Sequence, residues 1–493
     1  MKALLLYPEF PDGFWSFKHA LKFVGRKAAL PPLGLITIAA MLPGTWELRL
    51  IDMNVKKLTD TDLSWADCVL VSAMVVQRKS AKELIARCNK AKVPVIAGGP
   101  LFTEERDAFP EVDHLILGEA ENIFPRFVAD FEAGHAARFY AASDRPNIQV
   151  TPMPRWDLLD MKQYASMSVQ FSRGCPFNCD FCDITVLFGR RPRVKTAEQM
   201  IAELDALWDA DWRSSVFFVD DNFIGNKPYL KTTLLPALIA WQHSHKRSIP
   251  FYTEVSINLA DDEDLVRQMV AAGFDRVFIG IETPEEEGLL GCNKLQNTKR
   301  DLTASIKKLQ NMGLEVQAGF IVGFDSDTFS TFRRQYAFIQ ASGIPTAMVG
   351  ILQALPGTKL YERLWGEGRI KGVVSGDNVD GTTNIVPKLV SSEELSVGYR
   401  WLVHYLYAPK HYYQRVRTFL KEYDPAPLRG ASLSLKGFLA LVRSFIYLGV
   451  LGKERFCYWK LIIWLLRRPR LFPAGVTLSI FGYHFRKVAE SIR

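Results

Sequence analysis

Two blocks of alternating apolar runs and amphipathic stretches fill most of this 493-residue chain, and a block of different character follows them. Residues 2–7 (Lys-Ala-Leu-Leu-Leu-Tyr) form a short apolar run that stops at Pro8, the pattern of a strand buried on both faces. Similar runs recur at 47–52, 68–73, 94–99 and 114–119. Helical spacing predicts helices over 77–90 and 120–133, and 31–43 reads as a helix with proline at its start and stop. Strands alternating with helices predict a parallel, doubly wound sheet, which binds ligands beyond the carboxyl ends of its strands. The loops there carry Tyr7, Pro8, Ser72, Met74, Gly98, Gly99, Gly118 and Glu119. The glycines let a bulky ligand approach the backbone.

Residues 140–167 carry Pro146, Pro152 and Pro154 without sustained periodicity and read as a linker. From Ser168 the alternation resumes. Strands are predicted at 168–173, 215–221, 251–257, 276–282, 315–324 and 347–353, and helices at 196–210, 228–243, 261–272, 298–312 and 328–342. Asp261, Thr298 and Thr328 are the expected helix caps. Six βα units in a row predict a second parallel sheet curved toward a barrel, with its chemistry at the strand carboxyl ends.

The last block departs in charge. After residue 408 the chain has 16 Lys+Arg against 4 Asp+Glu, and before it 45 against 49. A basic tail calls for an acidic partner. Fifteen of its 85 residues are aromatic, and its apolar stretches at 437–452 and 459–466 fall short of the ~20 residues that span a bilayer. Apolar faces beside Arg467-Arg-Pro-Arg470 suit an interfacial membrane helix, and a helical cap packed on the barrel is the equal alternative. No helix-turn-helix or RNA-binding signature is present, so no nucleic-acid partner is expected.

The candidate chemistry centres on Cys175-Pro-Phe-Asn-Cys179-Asp-Phe-Cys182, a CxxxCxxC spacing after Phe171-Ser-Arg-Gly174. Three thiolates can hold three irons of a [4Fe–4S] cluster and leave the fourth open to a small molecule. Zinc usually takes four ligands, and no second CxxC or Cys/His pair follows. The other cysteines, Cys68, Cys88, Cys292 and Cys457, complete no disulfide framework. Cys68 and Cys88 read as structural, and Cys292 reads as a small buried apolar group, with a reactive thiol as the lesser alternative. His404 and His411 read as packing or surface groups. Gly189-Arg-Arg-Pro-Arg193 reads equally as an anion-steering loop or a solvated basic turn. Residues 1–8 are too quickly interrupted for a signal peptide. A cytoplasmic protein is expected, with peripheral contact to the inner membrane left open.

The cysteine spacing with Phe181 before the last thiol resembles the radical S-adenosylmethionine (SAM) superfamily. A Rossmann-like domain ahead of it, with Pro31-Pro-Leu-Gly34, Gly98-Gly-Pro100 and Leu117-Gly-Glu-Ala-Glu121, is similar to the cobalamin-dependent members. Val322-Gly-Phe-Asp-Ser-Asp327, Val219-Asp-Asp-Asn-Phe-Ile-Gly225 and Ser375-Gly-Asp-Asn378 resemble the branch that includes the hopanoid methylases. The resemblance implies an α/β chain with a Rossmann-like cobalamin-binding domain at 1–140, a linker at 141–167 and a partial (β/α)6 radical SAM barrel at 168–375. A connecting segment at 376–408 and a basic helical region at 409–493 complete it. It implies a [4Fe–4S] cluster on Cys175, Cys179 and Cys182, and SAM contacts from Phe181, Asp220, Asp221, Asn222, Glu254, Ser256, Glu282 and Gln353. The Asp-Asp-Asn run stands where the family usually has Gly-Gly-Glu, so that match is one of position. Cobalamin would meet the eight loop residues of the first sheet, with no D-x-H-x-x-G histidine for its lower face. The implied activity is methylation of an unactivated carbon of a hydrophobic substrate, a hopanoid or isoprenoid lipid as the leading guess, with electrons from a flavodoxin- or ferredoxin-type donor. The alternatives are a radical SAM cyclase or coupling enzyme that transfers no methyl, and a cobalamin or redox sensor without turnover.

Overall fold

The first block folds as predicted into one parallel sheet. In the computed structural model, which describes residues 1–245, 248–425 and 435–492, the strands are β1 (Lys2–Tyr7), β2 (Glu47–Asp52), β3 (Cys68–Ser72), β4 (Val95–Gly98), β5 (His114–Leu117) and β6 (Phe139–Ala141). Their order is β2-β1-β3-β4-β5-β6. Ala3, Leu4, Leu5 and Leu6 are all fully buried, because helices cover both faces of the sheet. β6 is a three-residue edge strand too short to show a period, and it runs across the boundary expected at residue 140. The expected linker therefore begins inside a strand, passes through short 3₁₀ turns, and ends in β7 (Met167–Val169).

Beyond β7 lie β8 (Ser172–Arg173), which sequence reading merged with β7, and β9 (Arg193–Val194), which it did not read as a strand; the two form an antiparallel pair. Then come β10 (Val216–Phe218), β11 (Phe251–Val255), β12 (Phe274–Glu282), β13 (Glu315–Val322) and β14 (Ala347–Ile351). The second sheet runs β7-β10-β11-β12-β13-β14, every pairing parallel, in the order of a partial (β/α)6 barrel. All three expected caps are displaced. Asp262 receives the N-terminal amide of its helix from Leu265 and Asp301 that of its helix from Ala304, while Ser330 stands at the third N-cap without a side-chain bond. A 3₁₀ turn at Ile257–Asp261 delays the first helix, and freed Asp261 pairs with Arg300 instead (2.9 Å).

The helices named below are α1 (Lys18–Val24), α2 (Ser392–Tyr407), α3 (Pro409–Glu422), α4 (Leu435–Ser444), α5 (Arg455–Leu466) and α6 (Phe472–Ser491). α2 lies within the expected connecting segment. Ser391 and Glu394 close a capping box at its start, and Tyr399, Leu402, Leu406 and Tyr407 enter the barrel's core cluster. α3 and α6 join the same cluster through Tyr412, Phe419, Leu478 and Phe485. Much of the tail is thus a helical cap on the barrel. α5 differs, because apolar residues occur on every side of it, beside Arg455 and Lys460, and only one stripe, Tyr458, Leu461, Ile462 and Leu465, is covered. Among the described residues no helix is long and apolar enough to cross a membrane.

Candidate functional site

The cysteine loop is pinned where it leaves and returns. β8 and β9 pair Ser172 with Val194 and Arg173 with Arg193. Gly174 has φ 96°, and a Cβ there would lie 2.9 Å from Gly189 O, so the close crossing requires glycine. Cys175 N donates to Gly189 O (3.2 Å). From the end of β10, Asp220 accepts the amides of Phe171 (3.3 Å) and Ser172, and Asp221 accepts that of Gly174 (2.7 Å). Sequence reading offered both acids to the SAM ammonium, whereas the structure turns them to the loop backbone. Burial raises Asp220 to about 7 and Asp221 to about 6.

The thiols of Cys175, Cys179 and Cys182 are half-buried in this loop. Asn222 Nδ2 lies 3.9 Å from Cys175 Sγ, and Gln296 Nε2 3.5 Å from Cys179 Sγ. Soft thiolates in one loop with N–H donors toward their sulfurs suit an iron–sulfur cluster. Among the described residues no three His, Cys, Asp or Glu side chains stand close enough to share one metal ion. A cluster needs no such approach, because each thiolate binds its own iron.

The segment after β12, of which only Cys292 was noticed in the sequence, embraces the loop. Asp180 N donates to Cys292 O (3.0 Å), and Asn293 Nδ2 to Asn178 O (2.7 Å). The Cys292 thiol is 3% exposed and held up at about 12 by burial, consistent with its reading as a core residue. Lys294 Nζ stands 5.8 Å over the Phe181 ring and 2.5 Å from Glu282 Oε1. Glu282 has φ 64°, at the point where the β12–β13 register shifts, and Gln335 Nε2 fixes its carbonyl (2.9 Å). A non-glycine residue held in this left-handed conformation is characteristic of sites where surrounding contacts over-determine the backbone. Lys294, twelve residues along the chain from Glu282, gave no periodic signal by which it could have been found.

Strand alternation turns Tyr252, Glu254 and Ser256 toward the barrel interior. Ser256 Oγ accepts from Asn222 Nδ2 (3.2 Å) and donates to Asn258 Oδ1 (2.6 Å). No hydrogen bond to the Glu254 carboxylate is found among the described residues. Burial, with Asp221 and Asp220 nearby, raises it to about 8. Gln353 is committed elsewhere: its Nε2 donates to Ser375 Oγ (3.0 Å), and its Oε1 accepts the amides of Ser375 and Gly376 (both 3.2 Å). That loop also reaches the first sheet, where Arg78 Nη1 donates to Val374 O (2.6 Å).

A cavity of about 830 Å³ opens beyond the carboxyl ends of β4 to β6. Its far wall is Val186 and Leu187 of the cysteine loop and the turn at Pro356 and Gly357. This size is within the range of cofactor clefts. Gly118, with φ 86° and its amide on Thr103 Oγ1 (3.0 Å), and Glu119 line it as expected. Tyr7, Pro8, Ser72, Met74, Gly98 and Gly99 do not. The Pro8 carbonyl is covered by Gln77 Nε2 (2.6 Å) and Asn54 Nδ2 (3.2 Å), and Gly99 (φ 93°) accommodates Ser72 Oγ, 2.8 Å from where its Cβ would stand.

Glu119 does more than line the cavity. With its side chain 3% exposed, it accepts from Arg173 Nη1 (2.8 Å) and from Arg193 Nη1 and Nη2 (2.9 and 2.6 Å). Glu121 takes a second contact from Arg173 (2.7 Å). Arg193, read as half of an ambiguous basic turn, is thus a clamp between the first sheet and the cysteine loop.

Three families match the chain in succession: the B12 binding domain over residues 24–128, the radical SAM superfamily over 169–339, and a domain of unknown function over 358–493. An uncharacterized methyltransferase of Synechocystis sp. is 43% identical over all of this chain and 93% of its own length. The hopanoid C-2 methylase of Rhodopseudomonas palustris is 33% identical over 93% of this chain and 88% of its own. The solved structure of the cobalamin-dependent SAM radical enzyme OxsB, with aqua-cobalamin and SAM bound, superposes with a TM-score of 0.63. It covers 100% of this chain and 79% of that one at 14% identity, a likeness of fold.

Proposed function

Because the chain belongs to the cobalamin-dependent radical SAM family, in the branch of the hopanoid methylases, we propose that it methylates an unactivated carbon of a hydrophobic, hopanoid-like lipid. The protein is a radical SAM enzyme of the methyltransferase kind, using a [4Fe–4S] cluster, SAM and cobalamin. Bound there, these groups supply hydrogen abstraction and a transferable methyl. Cys175, Cys179 and Cys182 would hold the cluster, with Asn222 and Gln296 directed at the Sγ atoms of Cys175 and Cys179. Glu254, a half-buried acid with no hydrogen bond among the described residues, would receive the SAM ammonium, with Asp220 and Asp221 near it and Asn222 bonded to Ser256 beyond it. Asp220, Asp221 and Arg193 fix the loop rather than the ligand. Gly118 and Glu119 face cobalamin, and electrons arrive from a flavodoxin- or ferredoxin-type donor.

The observation that supports the lipid reading is the 33% identity to the hopanoid C-2 methylase across 93% of the chain. The surface of α5 agrees with it. Phe456, Trp459, Ile463 and Leu466 are 70, 40, 63 and 68% exposed on one helix face, interleaved with exposed Arg455, Lys460 and Arg467. An apolar face beside basic residues suits peripheral contact with an anionic leaflet of the inner membrane, each well-placed cation contributing ~1 kcal/mol.

The test is anaerobic turnover of the reconstituted enzyme with SAM, cobalamin, a reductant and a lipid extract, followed by mass spectrometry. A hopanoid one methyl heavier is expected, and SAM cleavage with no methylated lipid would refute the reading. Co-sedimentation with anionic vesicles should weaken with salt and on combining Phe456→Ser with Ile463→Ser. Binding indifferent to both would refute the membrane contact.

A further inference from the structure

A second cavity, of about 410 Å³, lies at the opposite end of the barrel from the cysteine loop. Its inner wall is built from the amino ends of the strands. Tyr252 is the second residue of β11, Arg276 the third of β12 and Gln317 the third of β13. Tyr252 stacks on Phe217 at 4.6 Å, with Arg276 4.6 Å above the Tyr252 ring. The outer wall comes from three helices outside the sheet, with Leu21 and Val24 from α1, Ala440 from α4, and Val476 and Ile480 from α6. At the inner end Trp15 packs on Phe278 at 4.8 Å. Phe278 is one inward position above Arg276, on the level where Glu254 follows Tyr252. At ~3.3 Å per residue, the stacked Tyr252 lies ~7 Å below Glu254.

The mouth is apolar as well. Val24, which lines the cavity, is 40% exposed, and α4 turns Phe438 and Leu439 to solvent at 49 and 42%. Arg443 holds α4 over α1 through Phe23 O (3.0 Å) and Lys22 O (3.2 Å). Between α4 and α5 in the chain, Ile446, Val450 and Leu451 are exposed as well, at 47, 62 and 68%. The polar groups Tyr252, Arg276 and Gln317 are gathered on the inner wall, and against the apolar outer wall a hydrocarbon gains roughly 25 cal/mol for each Å² it removes from water.

We propose that this cavity is the chamber that receives the apolar polycyclic body of the substrate, and that α1 and the helices of the domain of unknown function together form its wall and its mouth. Resting on the methylase reading, it names the place of the substrate. The occupant is an isoprenoid lipid, taken from an anionic lipid surface on which α5 sits. The basic residues around α5 supply the charge complementarity, and the exposed apolar residues from α5 back to α4 supply the route. The direction of entry, from the amino ends of the strands, brings the lipid toward the acids from the side opposite the cysteine loop.

The full-length protein is titrated with dehydroergosterol, a fluorescent tetracyclic isoprenoid, and energy transfer from protein tryptophan is followed. Saturable transfer with one site is expected. Ala440→Phe, which fills the cavity, and Val24→Arg, which charges its mouth at an exposed position, should each weaken binding tenfold or more while cluster absorbance and melting temperature hold. Trp15→Phe should cut the transfer signal at saturation without a comparable loss of affinity. Unsaturable transfer in the unaltered protein, or wild-type affinity in both folded variants, would overturn the chamber. Lipid methylation by an enzyme whose probe binding ignores both variants would keep the methylase and discard the chamber. Loss of probe binding as expected, without methyl transfer to any lipid, would do the reverse.

Discussion

Replacing Glu119 by Gln leaves two guanidinium groups facing an uncharged amide of the same shape. Arg173 keeps Glu121 at 2.7 Å, so its charge remains paired. Arg193 keeps only the carbonyls of Pro146 (2.7 Å) and Phe188 (3.2 Å), with its side chain 16% exposed. Stranding a buried charge costs about 3–5 kcal/mol. Because one of the two arginines retains its acid and Arg193 keeps some solvent, the lower limit applies, about 3 kcal/mol. At roughly 2 °C per kcal/mol for a large domain, the first thermal transition should fall by about 6 °C. Circular dichroism melting of the full-length protein reads it, and iron content per chain reads whether the cysteine loop has loosened. The decisive variant is Glu119→Gln with Arg193→Met, which removes the stranded charge. It should recover most of the loss, whereas Glu121→Gln should cost less than Glu119→Gln. If the double variant melts no higher than the single one, the cost does not come from Arg193, and the clamp is not what joins the first sheet to the loop.

Cys175→Ala, Cys179→Ala and Cys182→Ala should each abolish the visible absorption of the cluster and SAM cleavage, while Cys68→Ala and Cys88→Ala, at fully buried positions, leave the absorption intact. One cluster-loop variant with full activity would undo the assignment. Glu254, at about 8, stands above the ordinary ~4.3 of a glutamate, so without SAM it carries a proton at neutral pH. The stability it lends is complete below pH ~4 and is lost as pH rises through 8. On the proposal that Glu254 takes the SAM ammonium, binding expels that proton, so affinity measured by calorimetry should rise, up to tenfold per unit, as pH climbs toward 8. Glu254→Gln should flatten the profile, and an unchanged slope in that variant would exclude the contact.

Both sheets were legible because their strands are apolar runs between turn residues, as with Leu4–Leu5–Leu6 or Val316–Ala318–Phe320. What escaped was decided by geometry that no local pattern carries. Phe139–Ala141 is a strand only because β5 offers an open edge. Asp262 caps its helix in place of Asp261 because a 3₁₀ turn intervenes. The cysteine loop could be read from spacing, since its ligands are near neighbours in the chain. Lys294, Gln296 and Arg193 could not, because their partners Glu282, Cys179 and Glu119 lie 12, 117 and 74 residues away. Asp220 and Gln353 stand at the expected strand ends, and their hydrogen bonds, invisible in a sequence, show that neither is free.

The pairing of the first helix with the last has a consequence for synthesis. His484 on α6 donates to Phe14 O (3.0 Å) across 470 residues, and Phe17 stacks on its ring at 5.3 Å. At ~5–20 residues per second on the ribosome, Phe14 and Phe17 wait on the order of a minute before these partners are translated. Domains generally fold as units with the N-terminal one first, so the sheet of β1 to β6 can close early, while α1 stays undocked. A premature stop anywhere before residue 472 would therefore leave a lesion at the opposite end of the chain, with aromatic side chains exposed to chaperones and proteases.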